Sequence, residues 1–429
     1  MPTIFLIAAG VGLAFVLNAR RALRFPLFLL PAFFASWLVV ELAPQILVLH
    51  IAGVGLFLVA GAADEWPGWI ALVLSLVSGA LLWGMVREAY RVRHALDEEL
   101  TKVIGPAAAH APVVWKEFAF PFKLWSARIR RERDIPYADP GTRRYRLDVW
   151  HDTEVAPGRP CFLYVPGGAW LVGVSNKNHQ GKPLLIEMAS RGWVCFSMNY
   201  PISPRAAFPD HIVAVKSAIA WIRAHAHEYG GDPSFLMISG NSAGGHLSSL
   251  AALSANDPVL QPGFEKEDTS VQAAAPLYGI YDFTGEMLEH LPRGRRKHKE
   301  GFLRFIERTV VKRRLAKDRD FFESVSPWHR IGPHAPPFFV IHGAMDTLAL
   351  VEEARAFVDR LTDVSEEPVV YAELRGTQHA FDTFLSIRSL YAVRAIARFA
   401  DWAYERWKVS AAGPVPPADR ELRSPTSGP

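Results

Sequence analysis

The chain has 429 residues, 50% of them hydrophobic, with a formal net charge of +4 at pH 7 and two cysteines. That length admits two or three domains. The mild charge, with no basic run interleaved with aromatics, argues against nucleic acid as a partner, and two cysteines are too few for a disulfide framework. Cys161 and Cys195 each fall inside an apolar run and are expected as buried thiols on two strands. No Cys/His spacing resembles a zinc site.

Four apolar stretches open the chain, at residues 4–17, 25–40, 42–63 and 66–86. At about 1.5 Å per residue, the last two are long enough for a hydrocarbon core about 30 Å thick, whereas the first two need flanking residues or a thinned bilayer. Arg20, Arg21 and Arg24 follow the first stretch instead of preceding it, the reverse of a cleaved signal peptide. Residues 1–86 are therefore expected to be a multi-pass transmembrane region of three or four segments, with membrane lipid as a partner. The positive-inside rule draws both arginine clusters, 20/21/24 and 87/91/93, to the cytoplasm, which requires an even number of crossings between them. Three stretches lie there. Either 25–40, with Pro26 and Pro31, does not fully cross, or one cluster disobeys the rule, so the side of the following domain stays open.

From 87 to about 140 the composition becomes charged and mixed, reading as a helical connector. Its Trp115, Phe118, Phe120, Phe122 and Trp125 suit either a headgroup region or ordinary packing. From 141 to 410, β-rich runs at 145–150, 161–165, 193–198, 235–239, 273–278, 338–342 and 369–374 alternate with helical runs at 182–191, 210–229, 242–255, 351–361 and 385–407. That alternation predicts an α/β domain with a mainly parallel sheet. A lysine- and arginine-rich insertion at 282–329 reads as a helical cap, its charge serving a solvated face or anionic lipid. The proline-rich tail, 411–429, is expected to be disordered.

Within the α/β pattern, an apolar run leads into Gly240-Asn241-Ser242-Ala243-Gly244-Gly245 and then a helical run. This is the strand–turn–helix setting of a G-x-S-x-G elbow, where a sharp turn lifts a serine oxygen clear of the sheet and small neighbours prevent crowding. A serine hydroxyl needs a positioned base, and the base an orienting acid. Asp346 follows the run 338–342, and His379 follows 369–374, both just past a strand end and in the order serine, acid, histidine. His342 and His246 are the rival bases. Upstream, 161–165 ends in Pro166-Gly167-Gly168-Ala169-Trp170. A turn built on Gly167, Gly168 and Ala169 can aim backbone N–H groups at one point, and the N–H of Ala243 adds a further donor for an oxyanion.

Residues from about 145 to 405 resemble the α/β-hydrolase carboxylesterases and lipases of the hormone-sensitive-lipase type, including mycobacterial-type membrane-anchored carboxylesterases. The resemblance rests on Pro166 to Trp170, on Tyr200-Pro201-Ile202-Ser203-Pro204-Arg205 followed by Phe208-Pro209, and on Gly240 to Gly245. Asp346-Thr347-Leu348 and His379-Ala380-Phe381 complete it. It implies an α/β-hydrolase sheet with a helical cap and a Ser242/Asp346/His379 triad. It further implies an oxyanion hole from Gly168, Ala169 and Ala243, and no metal or organic cofactor. Pro166 and Ala169 replace a His and a Gly of the family pattern and make this turn similar to that of prenylcysteine methylesterases. Pro201 and Arg205 stand where the family has Arg and Glu. The function implied is carboxylic ester hydrolysis through an acyl-enzyme, and the apolar N-terminal region with the basic cap points to small or lipid esters that are amphiphilic or membrane-proximal as its substrate. A methylesterase or deacetylase of lipidated or acylated conjugates is the alternative, and a non-catalytic membrane adaptor is the reading from a different class.

Overall fold

The computed structural model describes residues 1–21, 29–106, 111–138, 145–154, 156–171, 176–287, 291 and 293–411. The tail expected to be disordered lies, from residue 412, outside the described residues, as does Arg24.

The chain opens with four helices, α1 (Pro2–Arg20), α2 (Leu29–Glu41), α3 (Ala43–Val59) and α4 (Trp66–Ile104). By length and composition, α1 and α4 are apolar enough to cross a membrane, and α2 with α3 makes a third candidate broken by an 85° bend. The first stretch is thus longer than its apolar residues alone suggested, because the helix takes in its flanks to reach 19 residues. The 42–63 stretch is shorter, giving a helix of 17 residues. Pro44 lies at the start of α3, where its missing N–H is tolerated. The same ring is incompatible with continuing α2 in a straight line.

The outer faces of α1, α3 and α4 carry exposed Ile7, Phe15, Leu49, Leu56, Trp69 and Leu76 among others. An apolar surface this extensive is larger than soluble monomers ordinarily expose. The second half of α4 changes character: Met85, Ala89, Val92, Leu96 and Leu100 are buried at spacings of three and four. They join one continuous core with Val16 and Ala19 of α1 and with the following sheet. Arg20 reaches Glu88 at 2.6 Å, so the end of α1 lies level with the point where α4 turns charged.

The expected helical connector ends at Ile104. After a single turn, α5 (Trp115–Phe118), comes β1 (Ile129–Pro136), a strand the apolar pattern missed. Its sequence, IRRERDIP, is charged because it pairs only with β2 (Arg146–Asp152) at the edge of the sheet. Charged residues on an edge strand discourage pairing with other chains. The other strands are β3 (Arg159–Val165), β4 (Val194–Met198), β5 (Gly231–Asn241), β6 (Ala273–Leu277), β7 (Phe338–Gly343) and β8 (Val369–Leu374). Their order is β1-β2-β4-β3-β5-β6-β7-β8, parallel from β4 onward.

One face of the sheet packs on α6 (Lys182–Ser190), α12 (Ile387–Ala411) and the end of α4. The other packs on α7 (Asp210–His225), α8 (Ala243–Leu253) and α11 (Val351–Val364). Cys161 and Cys195 are buried on opposite faces, where burial pushes the Cys161 thiol up to about 12. The insertion between β6 and β7 is helical, with α9 (Arg293–Phe305) and α10 (Arg319–Ser324). Lys299 of α9 is buried against Glu353 at 2.7 Å, so part of its charge holds the insertion to α11 and does not face solvent.

Candidate active site

Ser242 occupies the single residue between β5 and α8, with φ 54° and ψ −117°. A non-glycine residue held there costs about 1–3 kcal/mol, tolerated where the surroundings over-determine it. They do so by steric contact. A Cβ on Gly244 would lie 2.0 Å from the Val165 carbonyl oxygen, one on Gly240 2.4 Å from that of Gly244, and one on Gly245 2.8 Å from Gly279 Cα. The Ser242 N–H donates to the Leu277 carbonyl at 2.9 Å.

The loops after β7 and β8 bring the two expected partners to this serine. Ser242 Oγ lies 2.9 Å from His379 Nε2, and His379 Nδ1 lies 2.6 Å from Asp346 Oδ2. Burial opposes a charge on Asp346, but the facing imidazoles of His379 and His342 outweigh it and hold its carboxyl well below the usual carboxylate range. Its other oxygen accepts the N–H groups of Leu348 and Ala349, each at 2.8 Å. Gln378 clamps the two loops together, its Oε1 accepting from Thr347 N at 2.8 Å and His379 N at 3.0 Å.

The rival histidines have other tasks. His342 is fully buried beside Asp346, 3.3 Å from Oδ2, and bonds the Ala349 carbonyl. His246 stacks on Phe283 at 4.3 Å and bonds the Val325 carbonyl; burial pushes its pKa down to about 3, so it is a neutral core imidazole.

The turn after β3 departs from expectation at one residue. The Gly167 N–H points inward, donating to Asn241 Oδ1 at 2.7 Å and to Gln180 Oε1 at 2.9 Å, so it is not free to meet an oxyanion. Gly167 matters for space instead: its Cβ would lie 2.4 Å from the Asn241 carbonyl oxygen. Gly168 and Ala169 are half-exposed beside half-exposed Ser242, and Ala169 has a positive φ of 53°. Ala243 opens α8, ahead of its first backbone bond from His246 N to Ser242 O. Its N–H is thus one of the helix-start donors without an intrahelical partner.

Asn241, Tyr278 and Asp382 were not singled out from the sequence. Asn241 Nδ2 donates to the Tyr278 hydroxyl at 2.8 Å, and that hydroxyl donates to Asp382 Oδ1. This buried relay runs from the Gly167 turn to below His379, whose ring lies 4.5 Å from that of Tyr278. Asn241 adjoins the serine in the elbow motif, a positional signal that could have found it. Tyr200 supplies the support that Arg205, exposed at the surface, does not, its hydroxyl donating to the Pro166 carbonyl at 2.8 Å.

Two further residues come from far away in the chain. Phe33 of α2 meets the His379 ring edge-on at 6.2 Å between centroids, and Trp37 Nε1 donates to the Ala380 carbonyl at 2.9 Å. On the insertion side, ligand atoms of Glu286, Glu323 and His329 lie within 4.8 Å of one another. Arg319 already pairs with both carboxylates, meeting the charge that a metal would otherwise meet.

A family model described as BD-FAE matches residues 147–361. The chain is 40% identical over 413 residues to the probable carboxylic ester hydrolase LipM of Mycobacterium tuberculosis, covering 93% of each chain. It is 46% identical over 275 residues to esterase LipQ of the same organism, covering 64% of this chain and 62% of LipQ. Among solved structures, the butyrate-bound esterase Est2 of Thermogutta terrifontis shares the fold, with a TM-score of 0.51 at 24% identity, covering 67% of this chain and 96% of that one. With its eight-stranded sheet, its serine elbow and a near full-length ester-hydrolase relative, this chain belongs to the α/β-hydrolase family of carboxylic ester hydrolases.

Proposed function

We propose that Ser242, His379 and Asp346 are the catalytic triad of this hydrolase, acting on amphiphilic esters at a membrane surface. The observation that carries the reading is the unbroken contact from Ser242 Oγ through His379 to Asp346. His379 Nε2 takes the serine proton as Oγ attacks the ester carbonyl, and the imidazolium so formed is stabilised by ionised Asp346. Developing negative charge on the carbonyl oxygen is met by the N–H groups of Gly168, Ala169 and Ala243, each donor commonly worth about 10²–10³ in rate. The imidazolium returns its proton to the departing alcohol. Water, deprotonated by the same nitrogen, then attacks the acyl-enzyme, and the acid leaves as Ser242 regains its proton. Turnover of p-nitrophenyl butyrate by the wild type and by Ser242→Ala tests the assignment. The variant is expected to lose at least about 10³-fold in kcat, and equal rates would sink it.

The membrane part of the reading rests on the exposed apolar faces of α1, α3 and α4 and on the exposed Trp115, Phe120, Phe122 and Trp125. Aromatic side chains beside Lys116 and Lys123 suit a headgroup layer. Arg20 pairs with Glu88, next to Arg87, so these arginines lie at one end of α1 and of the apolar half of α4, which fits three crossings by α1, α3 and α4 while α2 stays at the surface. The positive-inside rule then assigns the hydrolase domain to the cytoplasm. In intact cells the domain is expected to resist added protease and to be cleaved only after lysis; cleavage before lysis refutes this placement. The insertion 282–329 is read as the cap, because His298 bonds the Leu348 carbonyl beside the acid loop.

A further inference from the structure

The inner face of α2 is formed by Ala32, Phe33, Ser36, Val39 and Val40, all buried. Ala32 and Ser36 hold this face to α1, through bonds with Asn18 and Ala19, and Phe33 reaches the loop that carries His379. Opposite it, Leu30, Phe34 and Leu38 are exposed, so α2 has no polar face to offer to water. Such a helix belongs at the boundary between lipid and protein.

One of its contacts with the loop meets the residue after the base, Ala380. Ala380 holds a φ of 62°, in the left-handed region that a residue with a Cβ enters at some cost. Its carbonyl accepts three donors: Trp37 Nε1 at 2.9 Å, Thr383 Oγ1 at 2.8 Å and Thr383 N at 3.3 Å. Two of these are local to the loop, and the third comes from α2. Trp37 also packs on Phe384 at 5.3 Å between centroids, and Phe384 meets Phe122 at the same distance. Phe33 meets the His379 ring edge-on. Just beyond the loop, Ser386 Oγ donates to Glu41 at the end of α2, and Arg388 donates to the Val40 carbonyl.

We propose that α2 is a wall of the active site and that Trp37 and Phe33 are positioning residues for the general base. The imidazole must point Nε2 at Ser242 while keeping Nδ1 on Asp346. The loop that sets this orientation is held from the outside by a helix of the apolar N-terminal region. The inference rests on the triad reading, and it makes hydrolysis depend on a segment outside the hydrolase sheet.

The test uses the full-length protein in detergent and short, soluble p-nitrophenyl acetate, so that delivery of substrate from lipid plays no part. Trp37→Phe keeps an aromatic ring against Phe384 but removes the donor N–H. Trp37→Ala removes both, and Phe33→Leu removes the edge contact with the imidazole. Misplacement of a catalytic group by a fraction of an ångström lowers the rate without weakening binding. For Trp37→Phe, kcat is expected to fall about tenfold with KM within about twofold of wild type, and labelling of Ser242 by a fluorophosphonate to slow in parallel. Trp37→Ala is expected to lose more. Wild-type kcat and labelling in both Trp37 variants would overturn the proposal, as would a rise confined to KM. If Trp37→Ala fails to fold, Trp37→Phe and Phe33→Leu decide. A wild-type protein that neither turns over the ester nor takes the probe refutes the triad itself, an outcome separate from loss in the variants alone.

Discussion

The serine and the histidine of this site are held in different ways. The elbow around Ser242 is self-contained: Gly240, Gly244, Gly245, Val165 and Gly279 press backbone against backbone inside the hydrolase domain. The histidine loop leans on neighbours outside that domain, with Trp37, Val40 and Glu41 of α2 and Met85 of α4 all bonded to residues 380–388. The serine is thus fixed by local sterics, and the histidine by long-range contacts. Changes in the N-terminal helices can therefore reach the histidine loop without disturbing the strained turn.

That contrast can be broken at either end. The largest effect is expected at the elbow. In Gly244→Ala the new Cβ would sit 2.0 Å from a backbone oxygen that cannot move without shifting β3. A loss of about 3 kcal/mol or more in stability is expected, together with loss of turnover, read by thermal unfolding and p-nitrophenyl ester hydrolysis. A variant with wild-type melting and activity would show that the elbow has slack. Next comes Arg388→Met, at the joint between the histidine loop and the N-terminal helices. Buried Arg388 lies 3.9 Å from Glu41 and donates to the Val40 and Met85 carbonyls. Removing it leaves buried Glu41 without its neighbouring cation and the Val40 carbonyl without this donor, and a cost of about 2 kcal/mol is expected, read from the thermal midpoint. An unchanged midpoint would mean that the helices and the hydrolase domain are not energetically joined there. Trp37→Phe is the mildest probe, removing one donor to the histidine loop and leaving the elbow untouched.

The two halves of the site also differed in how far they could be read in advance. Gly-x-Ser-x-Gly between an apolar run and a helical run carries its geometry in adjacent residues, and Ser242 is found at the turn as expected. Chain order and strand-end placement together singled out Asp346 and His379, with His342 and His246 as rival bases, and the structure brings Asp346 and His379 into line with Ser242. Gly167 misled because a glycine in a turn signals conformational freedom without saying where its N–H points. Here Asn241 and Gln180 claim it. The edge strand β1 escaped notice because one of its edges is unpaired, and its charged sequence lacks the apolar alternation of a half-buried strand.

The sequence by itself determined the reaction class and the α/β architecture. Both depend on short-range rules: which residues tolerate a strained turn, and which spacing makes a strand or a helix. Only the tertiary structure decided that the apolar N-terminal region shares a core with the sheet and that α2 lies against the His379 loop. Trp37 and Ala380 are 343 residues apart, and their bond leaves no periodic trace in either segment. Contacts of that kind depend on how whole elements pack, which no window of sequence contains.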